Sequence, residues 1–340
     1  MKIHFWEAVF PVNVKPKKLL FILFILILSS NVSLASDVYN IAPSYQPPYS
    51  AGAVRYDVLV SALNEVNQIR RLIGVPDVTL NSDYTSKAQH GAVLLDIIDT
   101  LTHTPGKPSN MNQEFYSLAY NATTHSNIAY SSVIRNGEKS GRVDLTETIR
   151  DYMDDSDAYN ISVLGHRRWL MNPRLKYIGF GISERRGYAS AYVIEDFGKS
   201  GSLTRNEYEQ YLRWLKWPVN YEFISWPVNR TPHPLKYFDS QTAWSVTLNS
   251  EIFDECKIDS VNVRLMRISD GRIWNFSKTQ SDGYFTIADT KVAYDQCIIF
   301  RPMNVSGYGH YESWRVDITG LNRKNHHGEA NITYNVTFIN

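Results

Sequence analysis

The sequence predicts an α+β protein, a mixed helix-and-sheet part followed by an all-β sandwich (Ig-like). Three observations carry this. Apolar residues recur at helical spacing in three stretches between Leu59 and Met153. After His166 the texture turns to strand. From Ala243 about a hundred residues alternate short strands with regular turns, the pattern of a sandwich. At 340 residues the chain has room for one large or two ordinary domains. Its 43% hydrophobic and 20% charged residues suit a packed core rather than disorder. A formal net charge of +1 argues against a surface built to wrap nucleic acid.

In chain order, Lys15, Lys17 and Lys18 precede a ten-residue apolar run from Leu19 to Leu28, and the stretch ends at Ser33-Leu34-Ala35. Basic flank, short apolar run and small-x-small end predict a signal peptide over 1–35, with no membrane span left in the mature chain. An uncleaved anchor is the alternative. Residues 36–52, with Pro43, Pro47 and Pro48, read as an exposed lead-in. Leu59, Ala62, Leu63, Val66, Ile69 and Ile73 predict a first helix, ended by Gly74 and Pro76. Asn81-Ser82-Asp83 caps a second helix, which buries Ala88, Leu95, Ile98 and Leu101 and runs out at Thr102 to Pro105. Gly106 to Gln113 reads as a polar loop. Asp144 with Glu147 resembles a capping box and opens a third helix carrying Leu145, Ile149, Tyr152 and Met153.

The densest segment is Gly165-His166-Arg167-Arg168-Trp169-Leu170-Met171-Asn172-Pro173, closed by Ile178-Gly179-Phe180-Gly181-Ile182. A histidine enters a short helix, the helix stops at Asn-Pro, and a strand with two glycines follows. The strand spans 177–182 and is joined to 189–195 by Arg185-Arg186-Gly187. Together with Ala62 to Arg70, Ala88-Gln89-His90, Leu101-Thr102-His103-Thr104 and Ser126-Asn127-Ile128-Ala129, this segment resembles the CAP superfamily of cysteine-rich secretory, antigen 5 and pathogenesis-related 1 (SCP-like) proteins, in its bacterial-type branch. The resemblance covers roughly Val54 to Phe197. It implies an α-β-α sandwich over residues 53–198 with a central cleft where two histidines and two acids meet. By position the histidines are His103 and His166, and one acid is Asp155. Ser126 stands where the family has the second acid. In some members this set holds a divalent ion such as zinc, which would make His103, His166 and Asp155 the ligands here. One missing anionic ligand weakens such a site. A polar network lining a fixed cleft is the competing reading, with His103 capping the second helix and Asp155 capping the turn before Ser156. Arg167 and Arg168 read as ion-pair partners of Asp151, Asp154 or Asp157.

A connector over 199–240 leads to the β-sandwich domain at 241–340. In an oxidising compartment Cys256 and Cys297 most simply pair as a disulfide. Tyr308, Tyr311 and Trp314 invite sugar stacking, although a buried structural role is the stronger reading. His326-His327 reads as a solvated turn. Asn-x-Ser/Thr sequons, among them Asn121, Asn275 and Asn335, support export only if the source glycosylates. The combined expectation is a secreted, non-enzymatic protein whose cleft (His103, Ser126, Asp155, His166) binds a small molecule, a lipid or a divalent ion. A cell-wall glycan or a protein partner is expected at the C-terminal domain. Two alternatives stay open. One is a hydrolase using Ser126, His166 and Asp155, for which no Gly-x-Ser-x-Gly elbow is present. The other is a surface adhesion protein with a vestigial cleft.

Overall fold

Leu59, Ala62, Val66, Ile69 and Ile73 fall on one buried face of the first helix, α1 (Tyr56–Ile73), and Gly74 ends it in the left-handed conformation at φ 75°. The computed structural model describes residues 38–131, 133–135, 138–140, 143–194, 216–290, 292–324 and 329–340. The signal-peptide segment, His326-His327 and part of the connector lie outside them.

The lead-in is stitched down rather than loose. Strand β1 (Tyr39–Ile41) pairs with β2 (Ala53–Val54), the Tyr39 hydroxyl donates to Ile182 O at 3.1 Å, and the Ser183 hydroxyl donates to the Tyr45 hydroxyl oxygen at 3.0 Å. After β3 (Thr79–Leu80) comes α2 (Ser82–Ile98), capped by the Asn81 side chain as the sequence predicts. Helix α3 (Gln113–His125) was not expected. Asn112 caps it by accepting from Phe115 N–H, and Phe115, Ala119 and Ala122 bury one face. Strands β4 (Ser126–Tyr130), β5 (Val133–Arg135) and β6 (Glu138–Ser140) follow, then α4 (Leu145–Asp154), capped by Asp144. Helix α5 (Gly165–Met171) and strands β7 (Tyr177–Ser183) and β8 (Tyr188–Tyr192) complete the first part.

Its sheet has the order β3-β7-β8-β4, with β3 parallel to β7 and the rest antiparallel. Strand alternation divides the residues between two helical layers. Ile178, Phe180 and Ile182 enter the same cluster as Val66 and Ile69 of α1 and Met153 of α4. Gly179 and Gly181 face α2 so closely that a Cβ on Gly181 would stand 2.3 Å from Ala88 backbone atoms. This is the α-β-α sandwich that the resemblance implied.

The second part begins earlier than residue 241, with β9 (Phe223–Trp226), β10 (His233–Pro234) and a 3-10 turn over Leu235–Tyr237. It continues through β11 (Trp244–Leu248), β12 (Asn262–Arg267), β13 (Ile273–Phe276), β14 (Gly283–Ala288), β15 (Cys297–Pro302), β16 (Ser313–Asn322) and β17 (Glu329–Ile339). The sheets run β10-β17-β16-β12-β13 and β14-β15-β11-β9. Trp226, Trp244, Trp274 and Trp314 are fully buried. Trp314 is therefore structural, whereas Tyr311 is 73% exposed.

The described residues from 38 onward form one compact unit. The cluster holding α1 and α4 side chains also holds Trp226, Trp244, Trp314 and Phe338. A second cluster joins Ile161 and Leu164 to Ala243, Ala288, Cys297 and Ile299. This placement corrects the expected disulfide. Cys256 and Cys297 are free, buried thiols. Cys256 belongs to the main core and Cys297 to the cluster against Ile161 and Leu164.

Candidate functional site

Asp155 ends α4 in the left-handed conformation at φ 46°, with its N–H donating to Asp151 O. Nine residues on, Leu164 adopts φ 46° as the N-cap of α5. These two turns bring the start of α5 onto the Asp155 carboxylate. Asp155 Oδ2 accepts from His166 N–H at 2.9 Å and from Arg167 N–H at 3.3 Å. Oδ1 lies 2.7 Å from His166 Nδ1. The first N–H groups of a helix lack partners within it, and here a carboxylate supplies one. Because a carboxylate only accepts, His166 Nδ1 carries the proton and the lone pair of the neutral ring is on Nε2. Among the described residues Nε2 has no partner, and the His166 side chain is about one fifth exposed.

The wall around this ring is specific. Tyr152 lies with its ring centroid 4.9 Å from that of His166, and its hydroxyl is buried without a partner. Burial and the nearby Asp151 and Asp155 charges push the Tyr152 hydroxyl well above its usual pKa. Asn127 Nδ2 donates to His166 O at 3.0 Å, which fastens the start of α5 to strand β4.

Two of the four expected cleft residues thus meet as a pair, and two do other work. Ser126 is paired with Tyr192, which is paired with Gly179, so it points to the α2 face, opposite Asn127. Its hydroxyl is buried and unpartnered, and the Ser126–His166–Asp155 set is not assembled. His103 is exposed, with Nδ1 2.6 Å from Thr123 O, while the Thr123 hydroxyl donates back to His103 O at 3.2 Å. It fastens the loop after α2 to α3 rather than capping α2. Among the described residues no three His, Cys, Asp or Glu side chains are placed to hold a metal ion. The set expected of His103, His166 and Asp155 is therefore not grouped as three ligands there: Asp155 bonds His166, while the His103 Nδ1 is tied to Thr123 of α3.

Arg167 and Arg168 do not pair with the α4 acids as expected. Arg167 Nε donates to Met153 O at 2.6 Å, Nη2 to Asp154 O, and Nη1 to Ala243 O at 2.6 Å and Ser245 Oγ at 3.1 Å. Burial lowers its pKa to about 10, against the opposing pull of the Asp155 and Asp154 charges. Arg168 donates to Val163 O at 3.0 Å, Asp289 O at 2.7 Å and Val292 O at 2.6 Å, and to Asp295 O. The sequence marked both residues by density alone and held no sign that their acceptors are mostly carbonyls, more than half of them over 70 positions away.

An α-β-α sandwich with a histidine–aspartate corner, continued by a β sandwich, defines the class. Residues 63–197 match the family model described as CAP, the cysteine-rich secretory protein family, and the chain carries a domain of that family. No curated protein was found to match the chain.

Proposed function

We propose that this is an exported CAP-domain protein that works by binding a small polar ligand at the His166–Asp155 corner, without catalysis. The observation that carries this is the 2.7 Å contact between His166 Nδ1 and the Asp155 carboxylate. Asp155 accepts the hydrogen bond of Nδ1–H, so Nε2 of the neutral ring is left as an acceptor with no partner among the described residues, beside the Tyr152 ring. A ligand that donates a hydrogen bond, such as a hydroxyl or an amide, meets that acceptor without reorganising the site. Export is supported by the basic-apolar-small stretch ending at Ala35. Among the described residues no helix is long and apolar enough to cross a membrane. The hydrolase reading is disfavoured by Ser126, whose hydroxyl points to the other sheet face and makes no bond to His166.

The test is thermal-shift screening followed by calorimetry on the mature chain, with sugars, amides and short peptides as probes. At least one probe is expected to stabilise the protein, and His166→Ala to lose that effect. No stabilisation of the wild type by any probe, or equal stabilisation of His166→Ala, overturns the reading.

A further inference from the structure

Asp155 is a left-handed, non-glycine residue at a C-cap, a conformation uncommon for L-residues that Asp tolerates better than most and that its surroundings here hold in place. What holds it is not α4 alone. The carbonyls of the two residues before it, Met153 and Asp154, are gripped by the Arg167 guanidinium. The residue after it is gripped from the sandwich: the Ser156 hydroxyl accepts from Ala243 N–H at 2.8 Å, and Ser156 O accepts from Arg301 Nη1 at 3.2 Å. The same Arg167 fork reaches across to Ala243 O and Ser245 Oγ. A single planar side chain therefore joins the turn that aims Asp155 to the start of strand β11. Its own backbone N–H also donates to the Asp155 carboxylate.

We propose that Arg167 is a positioning residue, coupling the docking of the C-terminal sandwich to the geometry of the His166–Asp155 pair. The inference deepens the binding proposal and rests on that corner being the working site. Arg167 touches no ligand position. It acts by holding the turn that carries the carboxylate, and the sandwich is thereby a structural part of the site rather than a tether. Lysine cannot replace it, because one ammonium point cannot span carbonyls on both sides of the seam as a guanidinium fork does.

The test reads the imidazole directly, independently of any ligand. Nitrogen NMR of the full mature chain, with the His166 signals assigned through His166→Gln, is expected to show one Nδ1–H tautomer in the wild type. Arg167→Lys and Arg301→Gln are expected to mix in the Nε2–H form. Both are also expected to speed hydrogen exchange at the His166 and Arg167 amides by ~10-fold or more, because those amides donate to Asp155. Arg264→Gln, on the outer face of the sandwich, serves as the control that leaves these signals in place. If Arg167→Lys does not fold, Arg301→Gln decides, since Arg301 lies on the sandwich side and does not touch His166. A lower melting temperature with the tautomer and both amides unchanged overturns the coupling and leaves a merely structural bond. A shifted tautomer in a protein that binds none of the probes supports the coupling and sinks the binding reading alone.

Discussion

At the scale of single residues, the buried polar side chains divide by whether their hydrogen bonds are complete. Arg70, fully buried in α1, donates to the carbonyls of Pro76, Leu170, Asn172 and Leu175, and so holds the end of α5 as Arg167 holds its start. Five donors in one plane suit that task, since carbonyls accept without adding a second charge. His233 is the opposite case. It is fully buried with Trp226, Phe238 and Phe338 edge-on to it; Nδ1 accepts from Val228 N–H at 3.2 Å, and Nε2 has no partner. Protonating it would break the Nδ1 bond and bury a cation, and burial together with the Arg167 charge lowers its pKa to about 3. The folded state then binds fewer protons than the unfolded one between pH 6.5 and about 3. Stability is full above 6.5 and falls as the pH drops through that window. Between pH 7 and pH 5 the expected loss from this residue is about 2 kcal/mol. Urea melts of wild type and His233→Gln at both values check this, and an unchanged pH dependence in the variant would refute it.

At the scale of elements, the contact of α2 with β7 decides whether the sandwich of layers closes. The two glycines of β7 were legible in the sequence as part of the Ile-Gly-Phe-Gly run, but their reason was not. It is the backbone of α2, 2.2 Å from a Cβ built on Gly179 and 2.3 Å from one built on Gly181. Because the obstacle is backbone, no side chain can swing away. Gly181→Ala is expected to cost about 3 kcal/mol or more, the upper range for overpacking, read as a fall in the urea midpoint. A cost within experimental error would mean that α2 sits farther from the sheet than this. Helices α1, α2 and α4 were legible because apolar period and caps agree at Gly74, Asn81 and Asp144. Helix α3 was missed although Asn112, Phe115, Ala119 and Ala122 hold the same signals, since its thirteen residues carry few large apolar side chains. Of the site, Asp155 and His166 were legible only through the resemblance to the CAP family, by their positions in its pattern. Ser126 was misplaced because one step along a strand turns a side chain to the other face.

At the scale of the whole molecule, the seam between the layered domain and the sandwich was the least legible part, for its bonds join residues far apart in sequence. Arg174 and Asp295, each about 1% exposed, form a buried ion pair across it, with the second guanidinium nitrogen 3.1 Å from Oδ1. Trp217 Nε1 donates to the same carboxylate at 2.9 Å. Removing one member of a buried pair leaves the other charge uncompensated, at a cost of roughly 3–5 kcal/mol. Asp295→Ala is expected to lose about that much stability in both parts at once, because a continuous apolar cluster runs from α1 to β17. Two spectroscopic probes separate the parts. Apart from one 3-10 turn, the helices described here lie before residue 172, whereas the four fully buried tryptophans lie in the sandwich. Urea unfolding followed by helical circular dichroism and by tryptophan fluorescence is expected to give one coincident transition in the wild type and in Asp295→Ala. Two separated transitions in the wild type would mean that the seam does not bind the parts into one cooperative unit, and the coupling assigned to Arg167 would then have no mechanical basis.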